Sequence, residues 1–99
     1  MIDFSNVVGV DWDAGNDRKN ERHGVSRMEA EQVFFDPSLQ AMEDTKHSET
    51  EQRYIAFGST ESGRTLQIAL ALRLNRMSIR IISARDMNRR ERKIYENQN

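Results

Sequence analysis

The apolar residues of this chain fall into short runs in which apolar and polar positions alternate. Residues 64–72 carry leucine or isoleucine at every second position from Leu66 to Leu72, which is the period of a β-strand with one buried face. Polar segments of a few residues, such as residues 59–63, separate the later runs and are typical of hairpin turns. The remaining runs predict four further strands, at residues 7–12, 39–42, 53–57 and 78–84.

Three helices are predicted from the capping signals between and after these strands. Asp13 is a suitable N-cap for a first helix over residues 14–22, a segment that is almost entirely polar. Ser26 and Glu29 have the capping-box spacing and predict a second helix over residues 27–35.

The second helix is expected to bury Ala30, Val33 and Phe34 and to end at Asp36, because the residue before a proline avoids helical geometry. A last helix is predicted after residue 88, where an Asn-x-x-Glu sequence gives a further version of the capping box.

The resulting order is one strand, two helices, four strands and a helix. Consecutive strands joined by short turns pair antiparallel, so we expect an α+β fold rather than a parallel α/β fold. The sheet should be antiparallel, with about four to five strands, two N-terminal helices and one C-terminal helix. No repeat or linker interrupts the pattern, and residues 1–99 are expected to form a single domain.

Composition excludes several classes of protein. The chain has no cysteine and therefore no disulfide, thiolate nucleophile or cysteine-ligated zinc. No apolar run approaches the roughly 20 residues of a membrane span, and the N-terminus lacks the apolar core of a signal peptide. We expect a soluble cytoplasmic protein that binds no membrane and needs no cofactor.

The net charge of −1 hides an asymmetry between the two halves of the chain. Residues 1–52 carry twelve acids and five bases, whereas residues 53–99 carry four acids and ten bases. The basic half is suited to binding a polyanion such as RNA. Mutual neutralisation of the two halves across the fold is the other interpretation that this pattern allows.

Metal and nucleotide sites lack their usual sequence patterns. The two histidines, His23 and His47, lie in different predicted turns, and the five separated glycines form neither a P-loop nor a dinucleotide fingerprint. The chemistry left open is metal-free cleavage of RNA. In that reaction the 2′-hydroxyl of the substrate is the nucleophile, and the protein supplies a proton acceptor, a proton donor and cations for the phosphate.

Arginines at or inside the predicted strands are the candidate cations, because a guanidinium stays charged and forks onto phosphate oxygens. Alternation places Arg80 opposite the face that Ile79 and Ile81 bury, whereas Arg85 lies where its strand ends. Arginines on the solvent side of a sheet are also common without any function, and this interpretation stays open. The candidates are Arg53, Arg64, Arg80 and Arg85.

Three other residues are candidates for proton transfer, and each also has a purely structural interpretation. His47 titrates near neutral pH but suits a solvated turn, and Glu51 can simply pair with Arg53. Tyr95 lies one helical turn after Glu91 and suits the core. The last helix carries a basic run that is either a solvated face or a surface for RNA or an acidic partner: Arg89, Arg90, Arg92 and Lys93.

Fragments spread over nearly the whole chain, taken in this order and spacing, resemble the BrnT toxin family. The C-terminal signature is Ile-Arg-Ile-Ile-Ser-Ala-Arg at residues 79–85, followed by Glu91-Arg92 and Tyr95-Glu96. The earlier fragments are Val10-Asp11-Trp12-Asp13, His23-Gly24-Val25-Ser26, Glu29-Ala30, Val33-Phe34, Asp36-Pro37, His47-Ser48-Glu49, Glu51, Arg53, Gly58 and Arg64.

The resemblance implies a RelE-like fold and a ribonuclease activity that arrests growth. It also implies a BrnA-type antitoxin with a ribbon-helix-helix DNA-binding domain, in a complex of two toxins per antitoxin pair. That complex would repress its own operon, so the toxin would reach operator DNA only through the antitoxin.

We combine this reaction class with the residue pattern to predict the site. No metal ligands are expected. The predicted catalytic residues are Arg64, Arg80, Arg85, His47, Glu51 and Tyr95, and the predicted RNA-binding residues are Arg53, Arg89, Arg90, Arg92 and Lys93.

A different class of function is also compatible with the sequence. The chain could act mainly as an antitoxin-bound corepressor, a binding module with little or no nuclease activity. Incubation of the purified free protein with RNA, with and without EDTA, separates the two classes.

Overall fold

A computed structural model of the protein describes residues 9–12, 23–47, 51–73 and 78–97. Five strands and two α-helices lie within these residues. The strands are β1 (Gly9–Trp12), β2 (Gln40–Glu43), β3 (Arg53–Ser59), β4 (Thr65–Arg73) and β5 (Ser78–Asp86). The helices are α1 (Arg27–Gln32) and α2 (Arg89–Asn97), and two 3-10 turns cover Val33–Phe35 and Thr45–His47.

The five strands form one mixed sheet in the order β1-β5-β4-β3-β2. From β2 to β5, each strand pairs antiparallel with the next, as the short connections predict. β1 instead runs parallel to β5, with Val10 opposite Ile79. The prediction of a purely antiparallel sheet is wrong at this edge, because β1 pairs with the last strand of the chain and not with a hairpin neighbour.

The described residues hold one N-terminal and one C-terminal helix, so the prediction of two N-terminal helices is not matched. The expected first helix, over residues 14–22, lies outside the described residues. Neither α1 nor α2 is long and apolar enough to cross a membrane.

Both predicted capping boxes are confirmed. Ser26 Oγ accepts the N–H of Glu29 at 3.1 Å, and the Glu29 carboxylate accepts the N–H of Ser26 at 3.1 Å. Asn88 and Glu91 make the same exchange at the start of α2, at 2.8 and 2.9 Å. Each exchange satisfies backbone donors that a helix start otherwise leaves without partners.

One face of the sheet, which we call the core face, packs against α1 and the turn that follows it. Leu66 and Ile68 of β4 are fully buried there. The helix side contributes Ala30 and Val33, which are fully buried as predicted, and Phe34, which is half-buried against the same core. Burying a side chain such as leucine or valine contributes about 1.5–3 kcal/mol each, so this layer accounts for much of the driving force for folding.

Gly58 lets the turn after α1 lie directly on β3. A Cβ at this position would come within 2.5 Å of Cγ1 of Val33 and 3.3 Å of Oδ2 of Asp36. Because no side chain intervenes, the Asp36 carboxylate reaches the N–H of Ser59 at 2.8 Å. The end of the helical segment is thereby tied to the end of β3.

The opposite face of the sheet, which we call the open face, is only partly covered. α2 crosses one end of it, where Phe57, Met87 and Tyr95 form a second, smaller buried cluster. Ile55 and Arg53 alternate with the core-face residues of β3 and continue the open face away from that cluster.

A bulge in β5 decides which side chains share the open face. The pairing of β4 with β5 shifts between Ala69 and Leu70, which leaves Ile82 as an extra residue on β5. The extra residue moves the alternation by one position, so Arg80 and Arg85 lie on the same face. Strict alternation along the sequence would have placed them on opposite faces.

Candidate functional site

A row of polar side chains crosses the open face at the end that α2 leaves uncovered. Residues directly opposite each other in neighbouring strands share a face. The ladder aligns Arg53 of β3 with Ala71 of β4, and Ala71 with Arg80 of β5. Two strand spacings separate the arginine backbones, roughly 10 Å. The row ends at Asp11 of β1, opposite Arg80.

Glu51, just before β3, joins the two arginines. Its Oε1 accepts hydrogen bonds from Nε and Nη2 of Arg53, both at 3.3 Å. Nη2 of Arg80 forms a close ion pair with the same oxygen. The three side chains are between 21% and 34% exposed, so solvent and a ligand can reach them. This arrangement, which we call the Glu51 cluster (Glu51, Arg53 and Arg80), places one carboxylate between two guanidiniums.

A small pocket opens beside the Glu51 cluster. Its volume is about 170 Å³, and Ile82, the bulge residue of β5, forms part of its wall. This is below the range of pockets that enclose a whole ligand, so the pocket has room for only part of one. The lining residues are Asp44, Arg53, Tyr54, Ala69, Leu70 and Ile82.

Arg64 lies on the α1 side of the sheet and is held by four groups of the fold. Nε and Nη2 donate to the two carboxylate oxygens of Asp86 at 2.6 and 2.9 Å. Nη1 donates to Oε2 of Glu29 at 3.0 Å and to the carbonyl of Gly24 at 2.8 Å, and Nη2 lies 3.4 Å from the carbonyl of His23. The structure does not bring Arg64 together with the Glu51 cluster.

The electrostatics of Arg64 follow from these contacts. Its hydrogen bonds are the largest cause that lowers the pKa of Asp86, and the carboxylates of Asp86 and Glu29 raise the pKa of Arg64. The N–H of Ser26, and then Arg64, lower the pKa of Glu29. Arg64 thereby links the loop before α1, α1 itself and the end of β5.

Arg85 lies on the open face but is engaged by α2. Nη1 and Nη2 donate to the two oxygens of Glu91 at 2.7 and 2.9 Å, a bidentate fork. The fork raises the pKa of Arg85 and is the largest cause that lowers the pKa of Glu91. Because Glu91 also completes the cap of α2, the pair fastens the start of that helix to β5.

Tyr95 is buried where α2 crosses the end of β3. Its hydroxyl donates to Oδ2 of Asp36 at 2.5 Å and lies 3.0 Å from Oγ of Ser59. Burial, and then the Asp36 carboxylate, raise the pKa of Tyr95. Ser59 and Arg53 are at opposite ends of β3, about 20 Å apart at the rise of a strand, so Tyr95 is remote from the Glu51 cluster.

The other predicted site residues lie on α2 and in the second 3-10 turn. The basic residues of α2 are exposed on its outer side, next to the end of β5. His47 ends the 3-10 turn, and its side chain lies outside the part of the protein that the structure describes. The exposed basic residues are Arg89, Arg90, Arg92 and Lys93.

Sequence reasoning missed three polar residues at the β1 end of the row: Asp11, Arg73 and Ser78. Nη1 of Arg73 lies 3.6 Å from Oδ2 of Asp11, which also accepts the hydroxyl of Ser78 at 3.1 Å. This grouping depends on β1 lying beside β5, and no local pattern in the sequence indicates that pairing. Across residues 9–12, 23–47, 51–73 and 78–97, no group of three or more histidine or carboxylate side chains is placed to hold a metal ion.

Comparison with known proteins adds one finding. A family model described as ribonuclease toxin, BrnT, of type II toxin-antitoxin system matches residues 12–91. The matched segment runs from the end of β1 into α2 and includes the whole Glu51 cluster. A search of the curated proteins found no match to the chain.

Proposed function

The chain belongs to the BrnT family of ribonuclease toxins of type II toxin–antitoxin systems, and we propose that it cleaves RNA at the Glu51 cluster without a metal ion. The observation that carries the proposal is a carboxylate held between two guanidiniums on the partly exposed open face. Cleavage of RNA needs a proton acceptor and compensation for charge that develops on the phosphate, and this cluster supplies both.

The proposed reaction uses the substrate's own 2′-hydroxyl as the nucleophile. A carboxylate oxygen of Glu51 takes the proton of that hydroxyl, and the 2′-oxygen then bonds to the adjacent phosphorus. The bond from phosphorus to the 5′-oxygen breaks, and that oxygen leaves with a proton. The products are a 2′,3′-cyclic phosphate and a 5′-hydroxyl.

Arg80 and Arg53 have two tasks in this mechanism. In the free protein their guanidiniums hold the Glu51 carboxylate. When a phosphate enters, its oxygens compete for the same donors, so the carboxylate is released at the moment a proton must be accepted. The arginines then stabilise the charge on the phosphate, an effect typically worth a few kcal/mol per well-placed donor.

The remaining predicted residues receive more specific roles. We assign Arg64, Arg85 and Tyr95 to positioning, because carboxylates or carbonyls of the fold already occupy their polar groups. His47 remains the candidate proton donor to the leaving oxygen on the basis of its chemistry alone. The exposed bases of α2 lie beyond the end of β5, away from the Glu51 cluster, and we assign them to a second phosphate-binding surface: Arg89, Arg90, Arg92 and Lys93.

A toxin of a type II system has an antitoxin partner. We propose a BrnA-type antitoxin with a ribbon-helix-helix domain, in a complex of two toxins per antitoxin pair. Its inhibitory segment covers the basic corner of residues 80–93 with acidic side chains. A stable complex of this kind buries roughly 1,200 Å² or more in total.

The test of the function is an RNA cleavage assay with purified free protein. Cleavage should continue in excess EDTA, because the reacting groups belong to the protein and the substrate. The upstream fragment should end in a 2′,3′-cyclic phosphate. Activity that EDTA abolishes and magnesium restores would rule out the metal-free mechanism. Absence of any cleavage in either condition would favour the corepressor function.

A further inference from the structure

One exposed surface is not explained by RNA cleavage. Phe35 is 86% exposed and Met28 is 71% exposed. They lie seven residues apart along α1 and the turn that follows, so both project from the same side of the helical segment. Large apolar side chains exposed together are typical of a contact surface for another protein.

The backbone fixes Phe35 in this exposed position. The next residue, Asp36, is held by three donors: the N–H of Ser38 at 2.9 Å, the N–H of Ser59 at 2.8 Å and the hydroxyl of Tyr95. The N–H of Asp36 itself donates to the carbonyl of Val33 at 3.1 Å. Because the neighbouring residue is tied into the fold, the backbone at Phe35 is already ordered, and binding costs little further backbone entropy.

Phe35 borders a preformed pocket of about 310 Å³. The size is sufficient for one large side chain of a partner, and the oxygen of Gln32 that accepts the N–H of Glu61 at 3.1 Å holds the far wall in place. The lining contains two acids and no base: Gln32, Phe35, Asp36, Pro37, Ser59, Thr60 and Glu61.

This charge decides which class of partner fits. An acidic pocket repels the phosphates of RNA, whereas the type II family supplies a protein partner. We propose that this Phe35 pocket is an anchoring site for the antitoxin. The antitoxin segment bound there presents an apolar side chain to Phe35 and a lysine or arginine to Glu61, which is exposed at the rim.

The proposal rests on the partner named under the proposed function and adds a second contact to it. The pocket lies at the Ser59 end of β3, and the Glu51 cluster lies at the Arg53 end, about 20 Å away. An antitoxin therefore holds the toxin at one place and covers the cleavage site at another. Two linked contacts give a higher affinity than either one alone.

The test is a titration of the purified cognate antitoxin against wild-type toxin and single variants. Phe35→Ala should weaken binding roughly ten- to thirtyfold, the range for loss of an aromatic anchor. Glu61→Lys should also weaken binding, and by less at high salt. Met42→Ala, which shortens an exposed methionine on β2 outside the pocket, is the matched control and should stay within about threefold of wild type.

Cleavage of RNA by the free variants separates this surface from the catalytic site. Phe35→Ala should cut RNA at the wild-type rate and unfold at the wild-type temperature, because its side chain is exposed. If Phe35→Ala binds the antitoxin with wild-type affinity, or if Met42→Ala loses as much affinity as Phe35→Ala, the anchoring role is overturned, whereas the proposed partner is not. No binding of antitoxin by the wild-type toxin would overturn the proposed partner together with it. Self-association of the free toxin that Phe35→Ala abolishes would assign the pocket to a second copy of the chain.

Discussion

At the scale of single residues, the arginines of this protein differ in the groups that accept their hydrogen bonds. Arg53 and Arg80 share one carboxylate, Glu51, on a partly exposed face. Arg64 instead donates to Asp86, Glu29 and two backbone carbonyls. To bind a phosphate, Arg64 would have to give up hydrogen bonds that connect three parts of the fold, and leaving those acceptors unsatisfied is costly.

Replacing arginine by lysine should therefore affect different properties at the two positions: cleavage at Arg80 and stability at Arg64. Lysine keeps the charge of arginine but loses the bidentate fork. Arg80→Lys should lower the rate of RNA cleavage on the order of a hundredfold with little change in the free energy of unfolding. Arg64→Lys should lower the free energy of unfolding by about 1–2 kcal/mol and leave cleavage near wild type at temperatures where the variant is folded.

Both variants can be compared by single-turnover cleavage and by urea unfolding on the same preparations. Full cleavage by Arg80→Lys would mean that the arginine serves only the sheet surface. If Arg64→Lys keeps the wild-type free energy of unfolding but no longer cleaves RNA, Arg64 is a catalytic residue after all.

At the scale of elements, α2 depends on one carboxylate for two functions. Glu91 accepts the N–H of Asn88 at the helix start and both donors of Arg85 on β5. The pKa of Glu91 is lowered, and its hydrogen bonds with Arg85 are the largest cause. The unfolded chain therefore binds a proton at Glu91 more readily than the folded protein does. Glu91 contributes stability above its ordinary pKa near 4.5, and this contribution is lost as the pH falls through the lowered pKa of the folded state.

Glu91→Gln should consequently destabilise the protein in a pH-dependent manner. At about pH 7 the variant should lose about 1–2 kcal/mol, because it weakens a cap and a charged fork. The difference from wild type should shrink as the pH falls from 4.5 through the lowered pKa of the folded state, because the wild-type carboxylate then also takes up a proton. Urea unfolding over this pH range measures it, with Glu96→Gln, an exposed acid on the same helix, as the control. A constant difference at every pH would contradict the ionic role.

The elements also show how far sequence alone reaches. Local signals predicted α1, α2, both capping boxes and the hairpin strands, because a cap or an alternation is encoded within a few residues. Non-local features were out of reach: β1 gives no sign that its partner is β5, and nothing near Ile82 indicates a bulge. Residue types alone predicted a set of candidate site residues, but only the tertiary contacts separate the Glu51 cluster from Arg64 and Arg85, which other carboxylates of the fold hold.

At the scale of the whole molecule, basic and acidic side chains are concentrated in separate regions of the surface. Arg85 and the bases of α2 lie where β5 ends, Arg80 lies near the start of β5, and the Phe35 pocket carries acids. Long-range steering by such patches raises the rate of association with a complementary partner and is screened by salt, whose Debye length is about 8 Å at physiological ionic strength.

The rate of association with the antitoxin should therefore fall as salt is added, by about tenfold between low and high ionic strength. Arg90→Gln should reduce this slope, since it removes an exposed charge from the basic corner. Lys46→Gln removes one exposed charge from the second 3-10 turn and should change the slope less. Stopped-flow mixing at several salt concentrations measures both. An association rate that does not change with salt concentration would contradict electrostatic steering by the basic corner.

The position of β5 in the sheet also has a consequence for the synthesis of the toxin. Glu51 and Arg53 leave the ribosome well before Arg80, and the two arginines become neighbours only when β5 pairs with β4, the strand that lies beside β3. Protein synthesis adds about 5–20 residues per second, and contacts distant in sequence form late. A nascent chain that stops short of β5 therefore lacks Arg80, one of the three residues of the proposed cleavage site. We therefore expect a message truncated before β5 to yield a chain without cleavage activity.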